Sequence, residues 1–305
     1  MSKPTPDFGV VFDIDGVLVR GGHALAGAAQ ILRSLREHNV PHIYLTNNGG
    51  VLEEVKAAQI GALLELAIDP AHMVLSHTPM RDLVAHYGDK RVLLMGSSDV
   101  HNVARHYGFQ KLVTVNDLVH HHPGQFAFGS YEQRTAPFDG EPIEAIISMH
   151  DPIDWGVEIQ VATPLFVSND DFLFSSAYPH PRFAQGAFTM CLQTLYKART
   201  GKDLELTRYG KPQTVAYTYA EKLLNEVAGR DASVNPLKKI YMIGDNPDSD
   251  IKGANKAGAH WSSILVQTGI YDTAQELEHH PHVHAPTVKE AIQHIYEENG
   301  LPPVL

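Results

Sequence analysis

The sequence predicts an α/β protein: a Rossmann-like, doubly wound parallel sheet with a second α/β domain inserted into it. Apolar runs at residues 10–12 and 43–45 alternate with segments of helical periodicity at 24–39 and 51–66. Strands separated by helices of this length form parallel sheets with helices on both faces. The same alternation returns after residue 238, which indicates that both ends of the chain belong to one doubly wound unit.

The C-terminal part supplies a second set of these elements. An apolar strand at 238–244 is followed by an acidic turn, a short helix at 251–259 and a further strand within 262–269. A last helix is predicted at 286–300, where Gly300 and Pro302 end it.

The middle of the chain has a different pattern. Strand candidates at 91–96, 126–129, 144–150 and 163–170 lie among turns rich in histidine and proline, and one long helix is predicted at 182–201. We therefore expect a discontinuous core domain of residues 1–89 and 207–305. Residues 90–206 would form the inserted α/β domain.

Composition excludes some classes of function. The 305 residues carry a formal net charge of −11, which argues against broad binding to nucleic acid or to acidic membranes. An anionic small substrate stays compatible with this charge, because a bound metal ion can reverse the local field.

The sequence also bears on compartment. Cys191 is the only cysteine, so no intrachain disulfide can form, as is usual in reducing compartments; we expect this thiol on the apolar side of its helix. No apolar run approaches the roughly 18 residues of a membrane span. The first residues lack a signal-peptide pattern. The expectation is a cytoplasmic protein, with the mitochondrial matrix as the alternative if a presequence has been removed.

Carboxylates follow two of the predicted strands of the core. Asp13 and Asp15 come directly after the first strand, and Asp245 and Asp250 follow the strand at 238–244. An unpaired buried carboxylate is unstable, and ligands bind at the carboxyl ends of parallel strands. Hard oxygen ligands of this kind suit Mg²⁺. The sequence therefore predicts a magnesium site at this edge of the sheet.

The remaining parts of a phosphoryl-transfer site occur at other loops. Asp13 can attack phosphorus as a nucleophile, and Asp15 can act as the acid and base. Thr46 and the amides after it suit phosphate oxygens, while Lys211 in a Gly-Lys-Pro turn can neutralise charge. Each short motif is weak by itself, but four of them in this order after apolar strands are difficult to explain by structure alone.

These segments resemble the four motifs of the haloacid dehalogenase-like hydrolase superfamily. DIDGV is similar to its first motif, LTNN to the second, GKP to the third and GDNPDSDI to the fourth. The insert resembles the α/β cap of subclass IIA, which holds the NagD-like proteins and the nitrophenyl phosphatases. TNNGG, VLSHTPMR and IGDNPDSDIKGA are most similar to the branch of cat eye syndrome critical region protein 5.

The resemblance implies a Mg²⁺-dependent phosphatase for a small phosphorylated metabolite, and a homodimer formed through the cap. Asp13 would be the nucleophile, and Asp15 the acid and base, with its backbone carbonyl on the metal. Asp250 would contact the metal directly or through water. The implied metal ligands are Asp13, Asp15, Asp245 and Asp250, and the implied phosphate-binding residues are Thr46, Asn47, Asn48 and Lys211.

Other functions stay open on the sequence. A phosphomutase shares every motif and differs in the nucleophile that enters second, and a binding or scaffold protein could retain an idle site. A carbon–halogen hydrolase of the same superfamily is disfavoured, because by family pattern it lacks the second aspartate of the first motif. By resemblance, the loop at 168–183 reaches over the site, so Asn169, Asp170, Asp171 or Arg182 are candidates for reading the substrate.

Overall fold

The computed structural model describes residues 5–97, 99–121, 142–161, 166–174, 182–274 and 276–303. The strand predicted at 126–129 lies outside these residues. The strands are β1 (Phe8–Phe12), β2 (Val19–Arg20), β3 (His23–Ala24), β4 (His42–Leu45), β5 (Met73–Val74), β6 (Arg91–Met95), β7 (Lys111–Thr114), β8 (Ala145–Ser148), β9 (Phe166–Val167), β10 (Leu173–Phe174), β11 (Arg182–Phe183), β12 (Thr207–Arg208), β13 (Lys239–Gly244), β14 (Trp261–Val266) and β15 (Val283–Ala285).

The helices connect these strands in the alternation that the sequence predicts. They are α1 (Ala28–Glu37), α2 (Glu53–Leu64), α3 (Val84–Tyr87), α4 (Val100–Tyr107), α5 (Val115–His121), α6 (Trp155–Val161), α7 (Gln185–Thr200), α8 (Thr214–Val227), α9 (Lys252–Ala257) and α10 (Val288–Glu298). None of the helices that the structure describes is long and apolar enough to cross a bilayer.

The first sheet is six-stranded, parallel and doubly wound. Its order is β15-β14-β13-β1-β4-β5, so strands from both ends of the chain lie side by side. Alternate strand residues point to opposite faces: Val10 and Phe12 pack with α1 and α10, whereas Val11 packs with α8. The predicted fold class is therefore confirmed.

A second parallel sheet has the order β12-β9-β8-β6-β7. It packs α4 on one face and α7 on the other, with Val103 and Phe188 among the buried residues. We call the unit built on this sheet the cap. Its edge strand β12 lies at Thr207–Arg208, two residues past the predicted junction at 206, so we propose a division between cap and core just after Arg208.

Two local predictions were wrong. The helix predicted at 24–39 begins at Ala28, because residues 23 and 24 form β3 and Gly27 has a left-handed backbone with φ of 82°. Cys191 is exposed rather than buried. The buried side of α7 carries Phe188 and Leu192, and position 191 points away from it.

His42, the first residue of β4, makes stability depend on pH. Its ring is 5% exposed and packs against Phe12 and Tyr44. Burial lowers the pKa of His42 from 6.5 to about 4. As pH falls from 6.5 to about 4, His42 therefore binds a proton in the unfolded chain but stays neutral in the folded chain. The free energy of unfolding decreases by up to about 3 kcal/mol over this interval.

We expect His42→Phe to remove this loss. Urea unfolding at several pH values between 7.5 and 4 should show a flatter decline of the free energy of unfolding in the variant than in the wild type. The pH 7.5 point is the internal reference, because His42 is neutral there in both states. Parallel curves for the two proteins would show that His42 does not contribute to the pH dependence.

Candidate active site

Three predicted loops meet at one edge of the first sheet. Asp13 follows β1, Thr46 follows β4 and Asp245 follows β13. The register places Phe12 beside both Tyr44 and Ile243, so the three strands end at the same level. The convergence that the sequence predicts is thus present.

Lys211 links two of the carboxylates. Its Nζ donates to Asp13 Oδ1 and to Asp250 Oδ1, each at 2.7 Å. The exposed fractions of Lys211, Asp13 and Asp250 are 2%, 6% and 0%. Burial alone would lower the pKa of Lys211, but the two carboxylates beside it raise that pKa well above its usual range. The lysine therefore stays charged.

Asp13, Asp245 and Asp250 form a cluster that fits a divalent cation. Each offers a carboxylate oxygen, and these oxygens lie within 4.8 Å of one another. Burial raises the pKa of Asp13 well above its usual range, and burial together with the neighbouring Asp250 raises that of Asp245 to about 7. The single positive charge of Lys211 does not balance three ionised carboxylates, so the cluster has a net negative charge. Oxygen ligands with excess negative charge suit Mg²⁺.

The two carboxylates of the fourth motif differ in their hydrogen bonds. Asp245 Oδ2 accepts from the backbone of Ile270 at 2.6 Å. Asp250 accepts from Lys211 through Oδ1 and from the backbone of Asn246 through Oδ2, at 3.0 Å. Because both oxygens of Asp250 are engaged, this carboxylate fits a contact through water or the holding of Lys211 better than a direct bond to a metal.

Gly16 and Gly269 let the backbone approach the Asp245 carboxylate closely. A Cβ on Gly16, whose φ is +88°, would lie 2.3 Å from Asp245 Oδ2, and one on Gly269 would lie 1.7 Å from the same oxygen. No side chain fits at these distances. The backbone therefore packs directly against the carboxylate and sets its position.

Asp15 lies outside the buried cluster. Its side chain is exposed and lines the cavity above the site. Asp15 Oδ2 lies 3.4 Å from Asn48 Nδ2. A carboxyl group in contact with water can exchange protons readily. This position suits an acid and base rather than a side-chain ligand of a metal.

Asn47 connects the second motif to the third. Its Oδ1 accepts from the backbone of Lys211 at 2.7 Å, and its Nδ2 donates to the Lys211 carbonyl and to Asp171 Oδ2, both at 2.9 Å. Gly210 completes this contact, because a Cβ there would lie 2.8 Å from Asn47 Oδ1. The side chain predicted to bind phosphate therefore holds the lysine loop and the cap. Thr46 is buried beside it, and its Oγ1 accepts from the Asn48 amide at 3.1 Å.

A cavity of about 620 Å³ lies between the core and the cap. Every predicted site residue except Asp250 is among its lining residues. Among the candidates of the loop at 168–183, Asn169 and Asp171 also line it. Asp170 instead pairs with Arg208 at 2.8 Å, and Arg182 is exposed in β11.

The sequence analysis missed the residues that the cap sheet contributes. Ser97, His150 and Asp151 line the same cavity. Ser97 lies two residues after the end of β6, and His150 and Asp151 lie two and three residues after the end of β8. The signal for them in the sequence is their position after apolar strands of the cap, because ligands bind at the carboxyl ends of parallel strands.

The sequence matches known families at both ends. Residues 10–110 match the family described as haloacid dehalogenase-like hydrolase, and residues 208–291 match one described as HAD-hydrolase-like. Together these segments cover more than half of the chain and include every predicted site residue.

Two curated relatives span most of the chain. It is 37% identical over 299 residues to the cardiolipin synthase (CMP-forming) / mitochondrial hydrolase fusion protein of Schizosaccharomyces pombe, covering 88% of this chain but 50% of that protein. It is 31% identical over 316 residues to a mitochondrial hydrolase of Saccharomyces cerevisiae, covering 88% of this chain and 89% of the relative. The chain thus spans half the length of the first relative.

A solved structure shares the fold. The 4-nitrophenylphosphatase of Thermotoga maritima superposes with a TM-score of 0.67 at 17% identity, covering 94% of this chain and 96% of the other. The resemblance of the four motifs is confirmed by the family matches and by the level of identity to the two fungal proteins. This chain belongs to the haloacid dehalogenase-like hydrolases.

Proposed function

We propose that this protein is a Mg²⁺-dependent phosphatase that hydrolyses a small phosphorylated metabolite through an aspartyl-phosphate on Asp13. The observation that carries the proposal is the buried group of Asp13, Lys211 and the fourth-motif carboxylates at a cavity that residues of both core and cap line. The name of the Thermotoga relative, a phosphatase with the same fold, supports the reaction class.

In the first step, a carboxylate oxygen of Asp13 attacks phosphorus. The new oxygen–phosphorus bond forms as the bond to the leaving oxygen breaks, and Asp15 gives that oxygen its proton. Lys211, 2.7 Å from Asp13, orients the nucleophile and neutralises charge on the phosphoryl oxygens. Thr46 and the amides beside it would bind the same oxygens.

In the second step, Asp15 takes a proton from water, and the water oxygen attacks the phosphorus of the aspartyl-phosphate. Phosphate leaves and the Asp13 carboxylate is restored. Asp13, Asp245 and the backbone carbonyl of Asp15 would hold the Mg²⁺, with Asp250 behind them. When bound, the ion would supply positive charge that draws the phosphate to a site of carboxylates.

The two fungal relatives carry the word mitochondrial in their names. We therefore propose the mitochondrial matrix as the compartment, which was the alternative expectation from the sequence. Epifluorescence of the full-length protein with a C-terminal tag in its own cells, together with a matrix marker, tests this. An exclusively cytosolic signal would contradict it.

Removal of the metal should abolish activity. We expect phosphate release from 4-nitrophenyl phosphate and from a panel of phosphorylated metabolites in Mg²⁺, and none in EDTA, with recovery on readdition of Mg²⁺. The expectation follows from three buried carboxylates that one lysine cannot neutralise. The measurement is released inorganic phosphate over time.

Two results would overturn this function. Undiminished release in EDTA would contradict the metal. Transfer of the phosphoryl group within or between sugar phosphates without release of inorganic phosphate would indicate a phosphomutase, and no turnover at all in a folded, Mg²⁺-binding protein would indicate a binding role.

A further inference from the structure

The cap sheet presents a second edge of strand ends to the cavity. Its strands β6 and β8 are adjacent and parallel, and their carboxyl ends lead into Ser97 and into His150 and Asp151. All three residues line the cavity that Asp13 and Lys211 line from the core. Ligands of α/β units bind at this end of the strands, so the topology that places the reaction in the core also places a binding edge in the cap.

The three residues form a connected polar group. Ser97 Oγ lies 2.6 Å from His150 Nδ1, and the Ser97 amide donates to the Asp151 carbonyl at 3.0 Å. Gly96 allows this approach, since its φ is +131° and a Cβ there would lie 2.9 Å from the backbone nitrogen of His150. Among the described residues, Asp151 Oδ1 has no hydrogen-bond partner although it is shielded from solvent. An acceptor in that state is stabilised by a donor.

Gln185 fixes this edge from behind. Its Nε2 donates to Ser148 Oγ at 2.6 Å and to the His150 carbonyl at 3.0 Å, while its Oε1 accepts from the Asn169 amide at 2.7 Å. The side chain is fully buried. The loops after β8 and β9 are therefore held in place before any ligand binds, as expected of a built site.

The charge of the cavity restricts what it can hold beyond the phosphate. The acidic lining residues are Asp13, Asp15, Asp151, Asp171 and Asp245, and the lysine and arginine lining residues are Arg20 and Lys211. Both of these cations come from core segments. The described lining residues of the cap include no lysine or arginine, and two of them are Asp151 and Asp171. A second anionic group on the substrate would face carboxylates there.

We propose that Ser97, His150 and Asp151 form the subsite for the leaving group, and that this subsite takes hydrogen-bond donors, namely hydroxyl or ammonium groups, and rejects a second anion. The substrate is thus the phosphate monoester of a polyol or of an amino alcohol. This inference rests on the proposed phosphatase function. Leu173 and Phe174, which also line the cavity, contact the carbon skeleton.

Four substrates separate the effects of a hydroxyl group, an ammonium group and a second anion on the leaving group. Glycerol 3-phosphate carries hydroxyl donors, ethanolamine phosphate an ammonium donor, phosphoglycolate a second anion, and 4-nitrophenyl phosphate none of these. We expect wild-type kcat/KM for one of the two donor substrates to exceed that for phosphoglycolate at least about tenfold. A larger value for glycerol 3-phosphate assigns the subsite to polyols, and a larger value for ethanolamine phosphate assigns it to amino alcohols.

Asp151→Asn keeps the shape of the side chain and removes its charge. We expect kcat/KM for the preferred donor substrate to fall roughly ten- to hundredfold, that for 4-nitrophenyl phosphate to fall much less, and that for phosphoglycolate to rise. Asp154→Asn is the matched control, because Asp154 lies on the same loop, is exposed, and does not line the cavity. It should leave all four values unchanged.

Failures of the two proposals are distinguishable. An equal fall for all four substrates in Asp151→Asn, or no change for any, would overturn the subsite while the phosphatase stands. No release by the wild type from any substrate, including 4-nitrophenyl phosphate, would overturn the phosphatase and the subsite together. If Asp151→Asn does not fold, Ser97→Ala serves in its place, with the same selective loss expected.

Discussion

Replacing Asp13 with asparagine should reduce phosphate release by about 10⁴-fold or more, because the amide oxygen is a much weaker nucleophile than the carboxylate oxygen that we propose attacks phosphorus. Asparagine has nearly the same shape and no charge, so the buried cluster should tolerate it. Burial raises the pKa of Asp13 well above its usual range, whereas the charge of Lys211 acts in the opposite direction. The measurement is the steady-state rate at saturating 4-nitrophenyl phosphate and Mg²⁺.

Asp248→Asn is the matched control for this variant. Asp248 lies in the same acidic segment as Asp250, but it is exposed. Its rate should remain within about twofold of the wild type, since exposed substitutions away from a site have small effects. Turnover of Asp13→Asn at the wild-type rate would refute the mechanism.

The second large effect is expected for Lys211→Met. The substitution removes the ammonium between Asp13 and Asp250 and leaves buried carboxylates without their counter-charge. We expect kcat/KM to fall roughly 10²- to 10³-fold, as for the loss of a group that stabilises developing charge. In EDTA the free energy of unfolding should fall by about 3–5 kcal/mol, the usual effect of breaking a buried ion pair.

Mg²⁺ should restore part of that stability, because it supplies positive charge to the same carboxylates. Urea unfolding with and without Mg²⁺ measures this, and a larger stabilisation by Mg²⁺ in the variant than in the wild type is the expected result. Lys256→Met, at an exposed position of α9, should change neither property. Wild-type activity in Lys211→Met would show that the lysine has no role in the reaction.

The core site could be predicted from the sequence because each of its loops is marked by a short local pattern, an apolar strand followed by polar residues. Asp13, Thr46 and Asp245 each follow a short apolar strand, and parallel strands bring such ends together whatever the rest of the chain does. The cluster of Asp13, Asp245 and Asp250 could therefore be predicted from the ends of strands. The Gly-Lys-Pro turn also predicts Lys211 as a group that neutralises charge, but nothing in that turn says that its ammonium contacts Asp250 as well as Asp13.

The remaining features depend on contacts between distant segments. Asn47 and Lys211 are 164 positions apart, and only the folded chain shows that the Asn47 side chain is hydrogen-bonded to the Lys211 backbone. The shielded oxygen of Asp151 likewise depends on how the cap packs. The division that we propose after β12 has the same origin, because the pairing of Thr207 with Phe166 is not encoded in either segment alone.

The most direct test of the account is to trap the phosphorylated enzyme. Protein mixed with 4-nitrophenyl phosphate and Mg²⁺ is quenched in acid during turnover, reduced with borohydride and digested for mass spectrometry. We expect that Asp13 alone is modified, to the homoserine that reduction of an acyl phosphate produces, and that the modification is absent in EDTA. Steady phosphate release with an unmodified Asp13, or with the phosphoryl group on another residue, would contradict it.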